Sequence, residues 1–345
     1  MEVGRRIISG SQLRVDVAHE SDIGACRRSV RTLADAHDFD EVSAGRAAIV
    51  ATELATNLLR HASRGTMLLQ ALDDGVEPEI ELISIDRGPG IVDVDRSLRD
   101  GHSSRGTLGC GLGAVSRLSN TFDLYSAPGH GTVVLSRVLR KGGAVPVQGP
   151  TPRLELGAIN VAVSGEIECG DAWRVADGDA LVSVLVADGL GHGPLAASAA
   201  RAAADAFAAS PFDAPSLSMQ TFHRALNGTR GAAAACALLN PGRSAVSYAG
   251  VGNISGCLLT HERLCGMVSH NGALGLQLHR AHQFEYDWPA GGRLIMHSDG
   301  LSAKWNLAAY PGLAARHSAV VAAVLYRDFA RMRDDVTLVV LRVGP

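Results

Sequence analysis

The sequence predicts two consecutive domains, each of mixed α/β structure. The chain has 345 residues, room for two domains of about 150 residues each. Residues 141–153, KGGAVPVQGPTPR, are rich in proline and glycine and carry no apolar periodicity, as a linker does. On both sides of that break short apolar strands alternate with helical patterns, and neither half repeats the other. Hydrophobic residues make up 46% and charged residues 19%, so each half can bury its own core.

Taken in order, the apolar periodicity predicts a helix over 43–62 and strands over 66–72 and 79–85. A glycine-rich loop follows, then a helix over 114–118. Strands over 122–125 and 132–139 form a hairpin closed by Pro128-Gly129-His130-Gly131. Beyond the linker, strands are expected over 154–163, 181–187, 232–239, 245–251, 294–297 and 336–343. Helices over 195–209, 215–226 and 317–332 interrupt them. The expected domains are therefore 1–140 and 154–345.

Charge and composition narrow the function. Lysine and arginine number 32 against 35 aspartates and glutamates, a net charge of −3, which suits neither a nucleic-acid binder nor a polybasic membrane binder. No apolar run approaches the roughly 20 residues of a membrane span; Asp188, Arg201 and Asp205 break the Ala/Val/Leu-rich stretches. The first ten residues have no apolar segment behind their charges, so no signal peptide is expected. The six cysteines (26, 110, 169, 236, 257, 265) form no C-x-x-C pair, against a zinc ribbon or disulfide framework. A cytoplasmic, reduced protein is expected.

In the first half, Ala47, Val50, Ala51, Leu54, Leu58 and Leu59 line one side of the 43–62 helix. Glu53 and Asn57 stand four residues apart on another face. A carboxylate and an amide so stacked can hold a hydrated Mg²⁺ with a hydroxyl nearby, and equally can be a solvated polar face. The 79–85 strand runs into Asp86-Arg87-Gly88-Pro89-Gly90, an acceptor beside a backbone that a flat base can approach. Gly106-Thr107-Leu108-Gly109-Cys110-Gly111-Leu112-Gly113 opens into a helix; bare N–H groups there suit a triphosphate, or the segment is a flexible loop. Gly109-x-Gly111-x-x-Ala114 mimics a dinucleotide fingerprint, but a polar loop precedes it instead of a strand.

The order E-x-x-x-N, D-x-G-x-G, G-x-G-x-G and a late Gly131-Thr132 resembles the GHKL ATP-binding family. The phrase NLLRHA is similar to the anti-sigma serine kinases of the RsbT and RsbW type. The resemblance covers about residues 10–140 and implies a two-layer α/β sandwich that binds ATP with Mg²⁺. It implies that Asn57 holds Mg²⁺, Asp86 accepts from the adenine amino group, Gly88 and Gly90 shape that turn, and Gly109, Gly111 and Gly113 wrap the phosphates. It further implies that Thr132 supports the adenine pocket and that Glu53 is the base for a substrate hydroxyl. No phosphoacceptor histidine box precedes the helix, and His61 reads as a packed or surface histidine.

In the second half, aspartate recurs beside glycine at strand ends: Gly170-Asp171, Asp188-Gly189-Leu190-Gly191-His192-Gly193, Ser298-Asp299-Gly300 and Asp334-Asp335-Val336-Thr337. Each alone can be a turn aspartate. If Asp171, Asp188, Asp299 and Asp334 converge, like charges about 4 Å apart repel by roughly 4 kcal/mol at an effective dielectric of 20, and only cations offset that. Two hard divalent metals do so and can activate a water for attack on a phosphate ester. This order resembles the SpoIIE-type serine/threonine phosphatases of the protein phosphatase 2C superfamily, over about residues 154–343. C-G-D-A-W and A-G-V-G-N are similar to the RsbX branch.

The resemblance implies an α/β/β/α sandwich holding two Mn²⁺ or Mg²⁺. Asp171, Asp188 and the Gly189 carbonyl would hold one ion, and Asp188, Asp299 and Asp334 the other, with Asp188 the shared catalytic ligand. Asp335 is the member of its pair expected not to reach metal. His192 is a proton donor to the leaving oxygen or a turn-stabilising residue. Asn253 and Asn271–Gly275 match family loops without a derivable role. Together the resemblances imply a phosphatase and serine-kinase-like module acting on a phosphorylated STAS-domain anti-sigma antagonist or a stressosome-like protein in a sigma-factor pathway. The alternative is a first half that binds a partner with ATP but transfers nothing.

Overall fold

A computed structural model describes residues 6–98, 111–141, 154–260, 264–278, 280–288 and 291–344. Its contacts form two compact units: Met1–Ser9, Thr151–Asn306 and Leu325–Pro345 in one, Gly10–Pro150 and Leu307–Val324 in the other. The division is therefore not collinear with the linker: a short piece from each side of it is counted with the other unit.

The chain begins with β1 (Arg6–Ile8), a strand of the C-terminal unit. The N-terminal unit then runs β2 (Leu13–Val17), α1 (Glu20–Ala36), α2 (Glu41–Ala62), β3 (Gly65–Leu72), β4 (Glu79–Ile85), α3 (Val94–Leu98), α4 (Leu112–Leu118), β5 (Thr121–Ser126) and β6 (Thr132–Leu139). Five strands form an antiparallel sheet in the order β2-β3-β4-β6-β5. Helices α1 and α2 share a core with one sheet face: Cys26, Val30 and Ala34 from α1, Val50, Leu54 and Leu58 from α2, Met67, Leu82 and Val134 from the strands. Asp40 starts α2 by accepting from Ser43 N at 2.7 Å, and Ser63 ends it in the left-handed region at φ 64°. The sequence reading omitted α1. Its apolar residues Ile23, Cys26, Val30, Leu33 and Ala34 recur at helical spacing and face this core, in a segment that is polar as a whole.

The C-terminal unit continues with β7 (Leu154–Val161), β8 (Asp171–Asp177), β9 (Val182–Gly189), α5 (Pro194–Ala209), α6 (Pro215–Ala225), β10 (Ala232–Asn240), β11 (Ala245–Val251), β12 (Ser255–Leu259), β13 (Leu264–Met267), β14 (Phe284–Asp287), β15 (Arg293–His297) and β16 (Val336–Val343), and α7 (Ser318–Phe329) is divided between the units after Val324. One antiparallel sheet runs β1-β8-β9-β10-β11-β14 and the other β13-β12-β15-β16-β7. β16 and β7 lie against β8, so the two sheets are layered, with α5 and α6 on the outer face of the six-stranded one. Ala199, Ala200, Ala203 and Ala204 of α5 are fully buried with Ala187 and Cys236; such small side chains let helix and sheet approach closely. The fold class is the expected one: two α/β parts, a helix-covered sheet followed by a layered pair of sheets. Among the described residues no helix is long and apolar enough to cross a membrane.

Most of the expected strands occur within two residues of their predicted ends. Strands β1, β2, β8 and β12 to β14 were not anticipated. Asp171 thus opens a strand instead of lying in a turn, because β8 (DAWRVAD) is buried on both faces and shows no alternation to read.

Candidate metal centre and nucleotide site

β8 and β9 pair so that Asp171 stands directly opposite Asp188. Such partners on one face have Cβ atoms about 4.5–5.5 Å apart, and like charges there destabilise. Asp171 is 6% exposed, and its Oδ2 is buried with no hydrogen-bond partner. Burial, then the Asp188 charge, holds the Asp171 carboxyl well above the usual carboxylate range, with the Ser298 and Thr337 hydroxyls acting the other way. Asp188 is pushed up to about 7, first by burial and then by the charges of Asp299, Asp334 and Asp335.

The other two carboxylates come from the second sheet. β15 pairs with β16, His297 opposite Leu338, and Ser298 N donates to Thr337 O at 2.9 Å. This seats Asp299, just past β15, beside the start of β16 where Asp334 stands exposed. Asn253 Nδ2 donates to Asp299 Oδ2 at 2.7 Å, and the same amide favours the charged form of Asp188. Asn253 is the residue whose role sequence reasoning could not derive. A-G-V-G-N was its signal, with Gly252 at φ +94° turning the chain off β11. The Asn271–Gly275 loop has a structural part: Leu274 and Ala232 exchange backbone bonds of 2.8 and 3.0 Å.

Gly189 ends β9 with its N–H on Gly170 O at 3.1 Å, and a Cβ there would run into the Ala196 carbonyl. His192 lies between Gly191 (φ +92°) and Gly193 (φ +74°), and its Nδ1 is 2.7 Å from Glu166 Oε1. Among the described residues no three Asp, Glu, His or Cys side chains close on one point tightly enough to hold a metal ion. The four carboxylates gather at one end of the paired sheets without meeting. The donors are nevertheless those of a hard divalent cation: oxygen only, one buried Asp171 oxygen unpartnered, and two facing carboxyls, Asp171 and Asp188, raised by burial and then by neighbouring negative charge.

In the N-terminal unit, Glu53 and Asn57 are half-buried on α2. Burial raises the Glu53 carboxyl above its ordinary value, opposed by the Arg60 charge. His61 is exposed at the end of the helix. Past β4, Asp86 N donates to Thr132 O at 2.9 Å, and Asp86 Oδ1 accepts from Gly88 N at 2.7 Å and Thr132 N at 3.1 Å. Thr132 Oγ1 is 2.9 Å from Ser126 Oγ, which also accepts from Ile91 N at 2.8 Å. An open cavity of about 740 Å³ adjoins this network at Ile91 and Ser126; its walls are apolar at Val94, Leu98, Phe122 and Leu124 and charged at Asp93, Asp95, Asp123 and Arg316.

The glycines of the turn have an internal reason as well. A Cβ on Gly88 would stand 2.9 Å from Ala62 Cβ. One on Gly90 (φ +75°) would collide with the Ala127 carbonyl, and one on Gly131 (φ +75°) with the Asp86 carbonyl. Gly111 precedes α4 as its N-cap with nothing within 4 Å of its Cβ position, and Gly113 is buried within α4. Gly109, the rest of the 106–110 loop and the linker from 142 to 153 lie outside the described residues.

Comparison with known proteins adds to this geometry. Residues 17–137 match the family model described as a histidine kinase-like ATPase domain, and residues 178–344 match that of Stage II sporulation protein E (SpoIIE). The serine/threonine-protein kinase RsbT of Bacillus subtilis (strain 168) is 35% identical over 120 residues, 35% of this chain and 90% of that protein. A solved structure described under "The bacterial stressosome: a modular system that has been adapted to control secondary messenger signaling" is 32% identical with a TM-score of 0.52, over 55% of this chain and 99% of that one. A crystal structure of RsbX in complex with magnesium is 20% identical with a TM-score of 0.48, over 57% of this chain and 98% of that one.

Proposed function

We propose, for a chain that belongs to the RsbT-type family of histidine kinase-like ATPases and carries a SpoIIE-type phosphatase domain behind it, a bifunctional switch that dephosphorylates and rephosphorylates one protein partner. The C-terminal unit is the phosphoserine/phosphothreonine phosphatase. The observation that carries this reading is the cross-strand pair of Asp171 and Asp188, with a buried, unpartnered Asp171 oxygen and with Asp299 and Asp334 at the same end of the sheets. Asp171, Asp188 and the Gly189 carbonyl would hold one Mn²⁺ or Mg²⁺, and Asp188, Asp299 and Asp334 a second.

When bound, such a pair supplies charge neutralisation and an activated water. The chain's own residues do the rest. Asn253 orients Asp299 by its 2.7 Å bond, and Glu166 fixes His192 at 2.7 Å near the loop that follows Asp188. In the N-terminal unit, Asn57 would hold the Mg²⁺ of ATP, Asp86 would accept from the adenine amino group, and Glu53 would take the proton of the partner's hydroxyl. The burial that raises Glu53 supports a base, since its proton affinity moves toward neutrality. The stressosome and RsbT likenesses support a STAS-domain partner, and an ATP-using protein with five described free cysteines fits the cytoplasm.

The test is turnover of p-nitrophenyl phosphate by the full chain with Mn²⁺ and with EDTA. Activity should require the metal, and Asp188→Ala should abolish it while the far-ultraviolet circular dichroism stays unchanged. A folded Asp188→Ala protein that turns over at the wild-type rate with saturating Mn²⁺ removes the site assignment.

A further inference from the structure

We infer that Asp335 is a clamp on the 163–170 loop, a positioning residue that sets Asp171 in place and is not itself a metal ligand. The inference rests on the phosphatase reading of the same site. Asp335 is 2% exposed, and both of its oxygens point at backbone. Oδ1 accepts from Val163 N at 2.8 Å, and Oδ2 accepts from Gly170 N at 2.9 Å. One carboxylate thus ties the two ends of the loop to the start of β16, and the second end is the residue before Asp171.

The contact is close enough to dictate the sequence there: a Cβ on Gly170 would stand 2.6 Å from Asp335 Oδ2. Glycine at 170 is needed by the clamp, which gives the G-D spacing a physical reason. The residues beyond Asp335 hold the same segment. Thr337 Oγ1 accepts from Asn160 Nδ2 at 2.7 Å, and that amide also lies 3.3 Å from the Asp171 carbonyl oxygen. From the other side, Gly170 O accepts from Gly189 N at 3.1 Å. The loop between the clamped ends carries Glu166, the partner of His192. Asp334, by contrast, is exposed, and its Oδ1 accepts from the next N–H, Asp335 N, at 2.9 Å. The two neighbours therefore divide the work: Asp334 faces outward where a cation can be met, and Asp335 is spent on the backbone.

The test compares wild type with Asp335→Asn in the full chain. Two N–H donors face the two oxygens, so the amide NH₂ must oppose one of them whichever way it turns, and one clamp bond is lost at constant shape. Three quantities are read: hydrogen exchange of residues 163–170 in metal-free protein, Mn²⁺ affinity and stoichiometry by titration calorimetry, and melting temperature. Exchange in the loop should accelerate, and Mn²⁺ should bind about 10- to 100-fold more weakly with an unchanged number of ions, as when a supporting partner of a ligand is removed. Loss of one bound Mn²⁺ per chain would make Asp335 a ligand and overturn the inference. A lower melting temperature with unchanged loop exchange and unchanged affinity would also overturn it, leaving a merely structural role. Wild-type protein that binds no Mn²⁺ would defeat the phosphatase reading, and the clamp would then stand or fall on loop exchange alone.

Discussion

Replacing Asp86 by asparagine tests the proposed contact of its carboxylate with a nucleotide. Asp86 Oδ1 already accepts from Gly88 N at 2.7 Å and Thr132 N at 3.1 Å. Both are donors, so the amide oxygen of Asp86→Asn must take that place, and the NH₂ group must fall where Oδ2 was. The turn and its link to β6 survive, because Asp86 N still bonds Thr132 O. The group presented to an adenine amino group changes from acceptor to donor. A hydrogen bond to a charged group contributes about 1.5–3 kcal/mol; at 1.4 kcal/mol per factor of ten, ATP should bind about 10- to 150-fold more weakly. Titration calorimetry of the full chain with Mg²⁺·ATP, beside a melting curve, reads both numbers. Equal ATP affinity for the two proteins would remove Asp86 from the pocket. A large fall in melting temperature would show that its carboxylate serves the fold and would refute the reasoning from donor geometry.

Three further outcomes are expected. With the phosphatase silenced by Asp188→Ala, Glu53→Gln should keep ATP affinity but slow radiolabel transfer to a STAS-domain partner by about 10²–10⁴-fold; no transfer even with Glu53 intact would leave the N-terminal unit an ATP-dependent binding module. Mn²⁺ at 100 times its dissociation constant should stabilise the protein by about 2.7 kcal/mol, or roughly 5–11 °C in the melting of a unit this size, and EDTA should reverse it; identical melting with and without metal would count against two ions among Asp171, Asp188, Asp299 and Asp334. Gly131→Ala should lower both stability and ATP affinity, because Gly131 sits at φ +75° with its Cβ position against the Asp86 carbonyl. The left-handed conformation alone costs about 1–2 kcal/mol for alanine, and an unchanged melting temperature would contradict that geometry.

Much of the fold was legible because its long elements are strongly periodic. α2 buries Val50, Ala51, Leu54 and Leu58 at the spacing its sequence displays, and β4 and β16 lie where apolar runs end in turn residues. α1 was passed over although Ile23, Cys26, Val30, Leu33 and Ala34 recur at helical spacing, because the segment as a whole is polar. β8 was illegible because Trp173 and Ala172, on opposite faces, are both buried. The candidate residues were legible one by one as Asp-Gly and Asn/Glu motifs. Asn253 was visible only as a loop without a task until its amide met Asp299.

By itself the sequence determined that there would be two α/β parts, the places of their most apolar strands and longest helices other than α1, and which residue types stood ready at the strand ends. Local periodicity and turn chemistry suffice for that, since each depends on neighbours within a few residues. Only the tertiary structure decided that Asp171 faces Asp188, that Asp299 reaches Asn253, and that Asp334 is exposed while Asp335 turns onto Val163 and Gly170. It also decided that β1, from the first nine residues, completes the sheet of the C-terminal unit. These facts rest on strand register and on hydrogen bonds between residues far apart in the chain. Moving a register by one residue would send every such side chain to the opposite face, with the local pattern unchanged.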